Sequence, residues 1–161
     1  MKLFKDNAGR EWTITINVSA IKRVRDLLKV DLLEIVDGKL LERLIRDPVL
    51  LCDVVYAACK PDADKQNITD EEFGRAMVGD AIEMATKALL EEITDFFPCA
   101  RDRANLRKVL DQTWRVMEKA RDLIERRIGD GELDRIAERM LALAGDSSGT
   151  APESPESIPA S

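Results

Sequence analysis

The sequence predicts an α+β fold that is mostly α: an N-terminal β-hairpin, then a bundle of about five to seven helices, then a disordered C-terminal tail. Three observations predict it. The first residues alternate apolar and polar side chains on either side of a glycine-bearing turn. The middle of the chain repeats apolar residues at helical spacing between recognisable caps. From Gly145 on, GDSSGTAPESPESIPAS is rich in Ser, Pro, Gly and Ala, and buries too little apolar area to offset the entropy of ordering. Aromatic residues make up only 4% of the chain and charged residues 35%, a balance that favours helices with solvated faces over a β-sandwich.

The length of 161 residues fits one domain with a modest core. We assign residues 1–144 to it, with the hairpin in 1–17, a helical core in 19–98 and C-terminal helices in 101–144; the tail is 145–161. The formal charge of -6 argues against general nucleic-acid binding. Histidine is absent, which removes Ser-His-Asp and Cys-His catalysis and every His-ligated metal site. Cys52, Cys59 and Cys99 form no CxxC, and an odd count without a secretory signal reads as a reducing, cytosolic setting. No stretch approaches about eighteen uninterrupted apolar residues, so no membrane span is expected.

Lys2 to Lys5 and Glu11 to Asn17 are the predicted strands, with Trp12, Ile14 and Ile16 on one face and Thr13, Thr15 and Asn17 on the other. Asp6-Asn7-Ala8-Gly9-Arg10 supplies the turn, Gly9 being free to take positive φ. A lone hairpin is marginal in water, so this one packs on helices or pairs with another chain. Ser19 is placed to cap a helix over Ala20 to Lys29, with Ile21, Val24, Leu27 and Leu28 inward. Its outer face, Lys22, Arg23, Arg25 and Lys29, lacks interleaved aromatics and reads as solvated.

Asp31 to Val36 is either a helical turn or a strand, and Asp37-Gly38 turns the chain. Leu40 to Arg46 is helical. Asp47 then caps, and Pro48 opens, a helix running to Cys59 that is apolar nearly all round and so the most buried of the fold. Cys52 and Cys59 share a face, but with no third or fourth ligand in sight they read as core cysteines. Lys60 to Ile68 is a predicted polar loop. It does not match a calcium loop: Asn67 stands where the turn needs glycine, and Phe73 where the bidentate glutamate belongs.

Thr69 and Glu72 form a capping-box signature. Gly79-Asp80 breaks the following stretch into two helices, with Asp80 expected to cap the second, and Pro98 ends it. Ile82, Ala85, Leu89, Ile93 and Phe96 form an apolar stripe, widened by Met84, Ala88 and Phe97. Residues 60–99 hold ten acids against four bases, a surplus equal to the whole net charge. A long helix from Asp102 to Ile128 carries a heptad seam of Leu106, Leu110, Thr113, Met117, Ala120 and Ile124. Val109, Val116 and Leu123 form a second seam beside it, with Trp114 on the flank, so this helix touches more than one neighbour, within the chain or in another protein. Gly129-Asp130-Gly131 stops it, and a last amphipathic helix, Leu133 to Ala144, uses Leu133, Ile136, Ala137, Met140 and Leu141.

Two blocks carry a family likeness. One is FKDNAGREWTITINVSAIKRVRDLLKVDL, a "Phe-x-Asp…Gly-Arg-x-Trp" hairpin leading into a basic helix. The other contains Asp47-Pro48, Lys60-Pro61, Thr69-Asp70-Glu71-Glu72-Phe73, Gly79-Asp80-Ala81 and Phe96-Phe97-Pro98. Together, over Lys2 to Pro98, they resemble the tail assembly chaperones of long, non-contractile-tailed bacteriophages of the siphophage type. The resemblance implies a non-enzymatic protein of the host cell cytoplasm, absent from the mature virion. Such a protein binds the helical, apolar tape measure protein, keeps it soluble and helps recruit tail tube subunits. It implies no catalytic residue, cofactor or metal.

A long amphipathic helix would be held by helix-in-groove contacts. The candidate contacts are Phe96, Phe97, Val109, Trp114, Val116 and Leu123, with self-association as a second way to cover them. The alternative reading is a structural virion component, a tail or connector subunit whose hairpin adds to a neighbouring sheet. A nucleic-acid-binding regulator using Lys22, Arg23, Arg25 and Lys29 is disfavoured by net charge. An enzyme is disfavoured by the lack of any nucleophile–base or metal constellation.

Overall fold

A computed structural model describes residues 1–129 and 131–145. Strands β1 (Lys2–Lys5) and β2 (Glu11–Ile14) are followed by α1 (Val18–Leu28), a 3-10 helix (Leu32–Asp37), α2 (Lys39–Arg46), α3 (Pro48–Gln66), α4 (Asp70–Ala76), α5 (Asp80–Phe96), α6 (Ala100–Gly129) and α7 (Glu132–Gly145). The predicted order of one hairpin and then helices is therefore the observed one. Gly145 ends α7, and the rest of the predicted tail lies outside the described residues. The chain falls into two compact units, one of Met1–Gln112 and one starting at Thr113.

The hairpin of the first unit is organised by a buried carboxylate. β1 and β2 pair antiparallel with Phe4 opposite Trp12. Asp6 Oδ1 accepts the backbone N–H groups of Ala8 and Arg10, both at 2.9 Å. Its Oδ2 accepts Arg10 Nε at 2.7 Å and Trp12 Nε1 at 2.9 Å. Gly9 closes the turn at φ 79°, a conformation that disfavours a side chain. Trp12, fully buried, meets the edge of Phe73 at 4.9 Å between ring centroids, and Phe73 in turn lies 5.4 Å from Tyr56. Two polar links fasten the turn to α4: Arg10 Nη2 donates to the Glu72 carbonyl at 3.3 Å, and Asn7 N to the Ala76 carbonyl at 3.0 Å. The predicted capping box on α4 forms, Thr69 Oγ1 accepting from Glu72 N at 3.2 Å and Glu72 Oε2 accepting from Thr69 N at 2.9 Å.

Helix α3 is the core helix that was expected, burying Leu51, Val54, Val55, Ala57, Ala58, Cys59 and Ala63. It does not stop at Cys59. The predicted loop over Lys60 to Ile68 is helical as far as Gln66, with Pro61 inside. A proline there has no N–H to give the carbonyl four residues back, that of Ala57. Arg23 on α1 replaces it: Nη1 donates to the carbonyls of Ala57 at 2.9 Å and Ala58 at 3.1 Å. The helix ends at Asn67, in the left-handed region at φ 53°. Arg23 is thus a structural residue and not part of a solvated basic face. Lys22, Arg25 and Lys29 are exposed as expected, Arg25 pairing with Asp31 at 2.6 Å.

Other boundaries also moved. Asn17 caps α1 in place of Ser19, its Oδ1 accepting from Ala20 N at 2.9 Å, so the second strand ends at Ile14 although Ile16 is buried as expected. Leu27 is exposed and Leu28 half-buried, leaving Ala20, Ile21 and Val24 as the inward face of α1. The undecided segment after Asp31 is the 3-10 helix, capped by Asp31 Oδ1 accepting from Leu33 N at 3.0 Å. Gly79, at φ 58° and ψ -130°, takes the cap position of α5, and Asp80 is the first helical residue without a capping bond.

On α5 the buried face is rotated from the predicted stripe. Ala85, Ala88, Leu89 and Ile93 are buried as expected, but Met84 is exposed and Ile82 half-buried. Thr86, Leu90, Glu92 and Thr94 are buried instead, because α5 also packs against β1. The two threonines donate to the Ile82 and Leu90 carbonyls at 2.6 and 2.9 Å, which satisfies their hydroxyls inside the helix. Glu92 receives Ile16 N at 3.4 Å and the Met1 amino group.

In the second unit, which comprises the end of α6 and α7, no described residue is buried. Glu118 and Arg121 pair there at 3.7 Å, one turn apart on α6.

Two outcomes follow from the first unit. Asp6→Ala leaves the Trp12 and Arg10 donors unmatched and should cost about 3 kcal/mol in urea unfolding. Burial alone would raise the Asp6 carboxyl, but the bonds from Trp12 and Arg10, with the Arg10 charge, hold it below the usual carboxylate range. That contribution is present above a pH of about 4 and is lost as pH falls through the lower folded value. Asp6→Asn should therefore flatten the acid limb of stability against pH. For the proline, Arg23→Ala should cost about 1–2 kcal/mol in the natural chain and clearly less in a Pro61→Ala background, where the helix regains its N–H. A double-mutant cycle by chemical denaturation measures this coupling.

Candidate partner-binding surface

The six residues singled out for partner contact do not form one patch. Phe97 follows the last turn of α5, its N–H donating to the Thr94 carbonyl at 3.3 Å, and its ring is buried. Arg103 fixes this corner by donating to the carbonyls of Phe97 at 2.5 Å and Pro98 at 2.9 Å. Asp95 adds an ion pair with Arg107 at 2.6 Å. The Phe96-Phe97-Pro98 exit is therefore a packed corner of the first unit, and Phe97 is corrected from surface to core. Phe96, half-buried, keeps some ring exposed.

The α6 residues behave differently. Leu106 and Leu110, the opening of the first seam, are buried in the first unit. Val109 in that unit is 47% exposed, and Val116 and Leu123 in the second are 56% and 59% exposed. Val116 and Leu123 are seven residues apart on one helix face, and Val109 precedes them at the same spacing. Trp114 is half-buried. This row of β-branched and leucine side chains, bordered by charged residues, is the clearest apolar surface among the six.

Among the described residues, no group of three or more Cys, Asp or Glu is arranged to hold a metal ion. Cys59 is buried, and burial, reinforced by the Asp62 charge, pushes its thiol up to about 12. Its Sγ lies 3.5 Å from the Thr13 carbonyl, which it contacts as a weak donor in the core. Cys52 is half-buried, and burial raises its thiol as well. An open cleft of about 400 Å³ is lined by Asn7, Ala8, Arg10, Glu72, Arg75 and Ala76. The two arginines in it are already committed, Arg10 to Asp6 and Arg75 to Glu71. No helix among the described residues is long and apolar enough to cross a membrane.

Comparison with family models, characterised proteins and solved structures finds no match to this chain. Sequence reasoning missed Asp6, Arg23 and Arg103 as organising residues. Only Asp6 had a signal in the sequence, a turn aspartate two residues after Phe4 and six before Trp12.

Burial separates the two phenylalanines experimentally. Phe97→Ala should cost about 3 kcal/mol, and Phe96→Ala no more than about half of that, as read from denaturation midpoints.

Proposed function

We propose that this chain is a tail assembly chaperone that holds the tape measure protein of a long, non-contractile-tailed phage soluble and helps bring tail tube subunits to it. The observation that carries this reading is the apolar row on α6. Val109, Val116 and Leu123 are about half exposed at seven-residue spacing on a helix of 30 residues. A long helical client with its own apolar stripe is the partner such a row fits, since heptad-spaced side chains interlock with a helix of matching period. Weak contacts suffice when many copies bind one filamentous client, because avidity multiplies them.

The family-like residues support the reading from another side. Phe4, Asp6, Arg10 and Trp12 of the hairpin meet Glu72 and Phe73, which lie about sixty residues later, in one latch. Their co-occurrence is what a shared fold would require. The acidic block suits a carrier that must stay in solution with an apolar load. Asp62, Asp64, Glu71 and Asp95 are each tied to a basic partner and remain at least a third exposed at the side chain.

Co-expression with the tape measure protein of the same genome tests the proposal. The natural chain should bring that protein into the soluble fraction and co-elute with it. Val116→Glu with Leu123→Glu should abolish both effects while the helical circular dichroism is retained. An insoluble client and no co-elution with the natural chain overturn the reading, as does finding the chain as a component of purified virions.

A further inference from the structure

We propose that the apolar row of α6 selects its partner by charge: the occupant is a helix whose own apolar row is bordered by Asp and Glu side chains. The inference rests on the partner-holding reading above in taking that occupant to be helical. What it adds comes from the side chains beside Val116 and Leu123. On a helix, the residues three and four positions away border a given side chain. For Val116 these are Gln112, Thr113, Lys119 and Ala120, and for Leu123 they are Lys119, Ala120, Arg126 and Arg127. Every charged residue among them is basic. The acids of the same stretch, Glu118, Asp122 and Glu125, all stand at other positions.

This bias runs against the charge of the chain. From Ala100 to Gly129, α6 carries nine basic and five acidic side chains, a surplus of four bases in a chain of net charge -6. Lys119 and Arg126 are exposed, and among the described residues neither forms a salt bridge, whereas Glu118 is paired with Arg121 at 3.7 Å. Two cationic heads therefore stand at the edge of an exposed apolar row without an ion-pair partner.

Charge decides between the occupants that spacing alone would admit. In a two-helix contact the side chains flanking the apolar row face those flanking the partner's row, and they set which helices pair. An acid-bordered helix gives Lys119 and Arg126 opposite charges to meet. A second copy of α6 laid along the same row brings these bases against their equals, and like charges across a contact repel. A nucleic acid would meet a narrow basic edge beside two aliphatic side chains, with no aromatic ring at the bordering positions on which a base could stack. Exposed ion pairs add little affinity each, so their main effect is to discriminate between partners of opposite sign.

Two synthetic helical peptides serve as probes, each with the same single leucine row, bordered by Glu in one and by Lys in the other. Each is titrated against the full chain by fluorescence anisotropy. The Glu peptide should bind about tenfold more tightly at low salt, and the ratio should shrink towards one at about 0.5 M salt. Lys119→Glu with Arg126→Glu should invert the preference, and Lys119→Gln with Arg126→Gln should reduce it about threefold. Lys22→Glu with Lys29→Glu, at exposed positions of α1, should leave it unchanged. Equal binding of the two peptides, failure of both to bind, or a preference that survives the α6 substitutions overturns the inference. So does capture of a fluorescent DNA oligonucleotide in preference to the Glu peptide. The tape measure protein is absent from these titrations, so the client-holding reading stands or falls separately, on co-expression.

Discussion

The carboxylate of Asp6 lies out of water with four donors aimed at it, from the backbone of Ala8 and Arg10 and the side chains of Arg10 and Trp12. Such a group is expensive to bury unless every lone pair is used, and here the partners are local enough to use them. The same bonds set the hairpin turn and orient the Trp12 ring. That ring meets Phe73, and Phe73 belongs to the helix that the Thr69–Glu72 capping box begins. Arg10 reaches from the carboxylate to the Glu72 carbonyl, so one guanidinium serves both ends of the latch. A two-stranded sheet of four-residue strands is marginal by itself. What holds it here is its packing on α3 and α5 and the links of Trp12 and Arg10 to α4.

A second polar contact allows the core helix its length. Pro61 would ordinarily end α3 or leave a carbonyl without a donor in a buried region. Arg23 supplies that donor from another helix and stays only partly exposed while doing so. Ala63, beyond the proline, is thereby kept fully buried, and Tyr56 can reach the Ile68 carbonyl at 3.3 Å after the helix has ended. Thr86 and Thr94 solve the same problem on α5 by bonding back to their own helix. The first unit thus places polar atoms in its interior by pairing each of them, and among the described residues no buried side-chain polar atom is left without a partner.

The two units differ in how far they bury their apolar side chains. The first is acidic outside, cored inside and internally satisfied. The second, in its described part, leaves Val116, Leu123, Ile124, Ile128, Ile136, Met140, Leu141 and Leu143 about half exposed or more. The proposed holding role would draw on both, a body that stays dissolved when loaded and a surface that is better covered than bare. Exposed apolar rows on a helix are unfavourable in water, and that cost is the driving force for whatever covers them.

Much of this was legible in the chain itself. Alternation over Glu11 to Ile16, the capping box at Thr69, the Asp47-Pro48 start, the break at Gly79 and the stop before Pro98 are local signals, because each is set by the dihedral or capping preferences of a few adjacent residues. Of the first seam expected on α6, only Leu106 and Leu110 are buried and Ala120 and Ile124 are exposed, because spacing marks an apolar face without supplying what packs on it. What could not be read was which groups would meet across the chain. Leu27 and Met84 carry the right spacing for a core, but their neighbours turned out to be water. Phe97 looked like surface until Arg103 and the corner around it closed. Lys60 to Gln66 reads as a loop because a proline inside a helix is locally unfavourable. Only the tertiary placement of Arg23, over thirty residues earlier in the chain, reverses that balance by returning the missing donor. Sequence determined where elements begin, end and show an apolar face. Tertiary structure decided which of those faces were filled, since burial depends on partners that local preference does not encode.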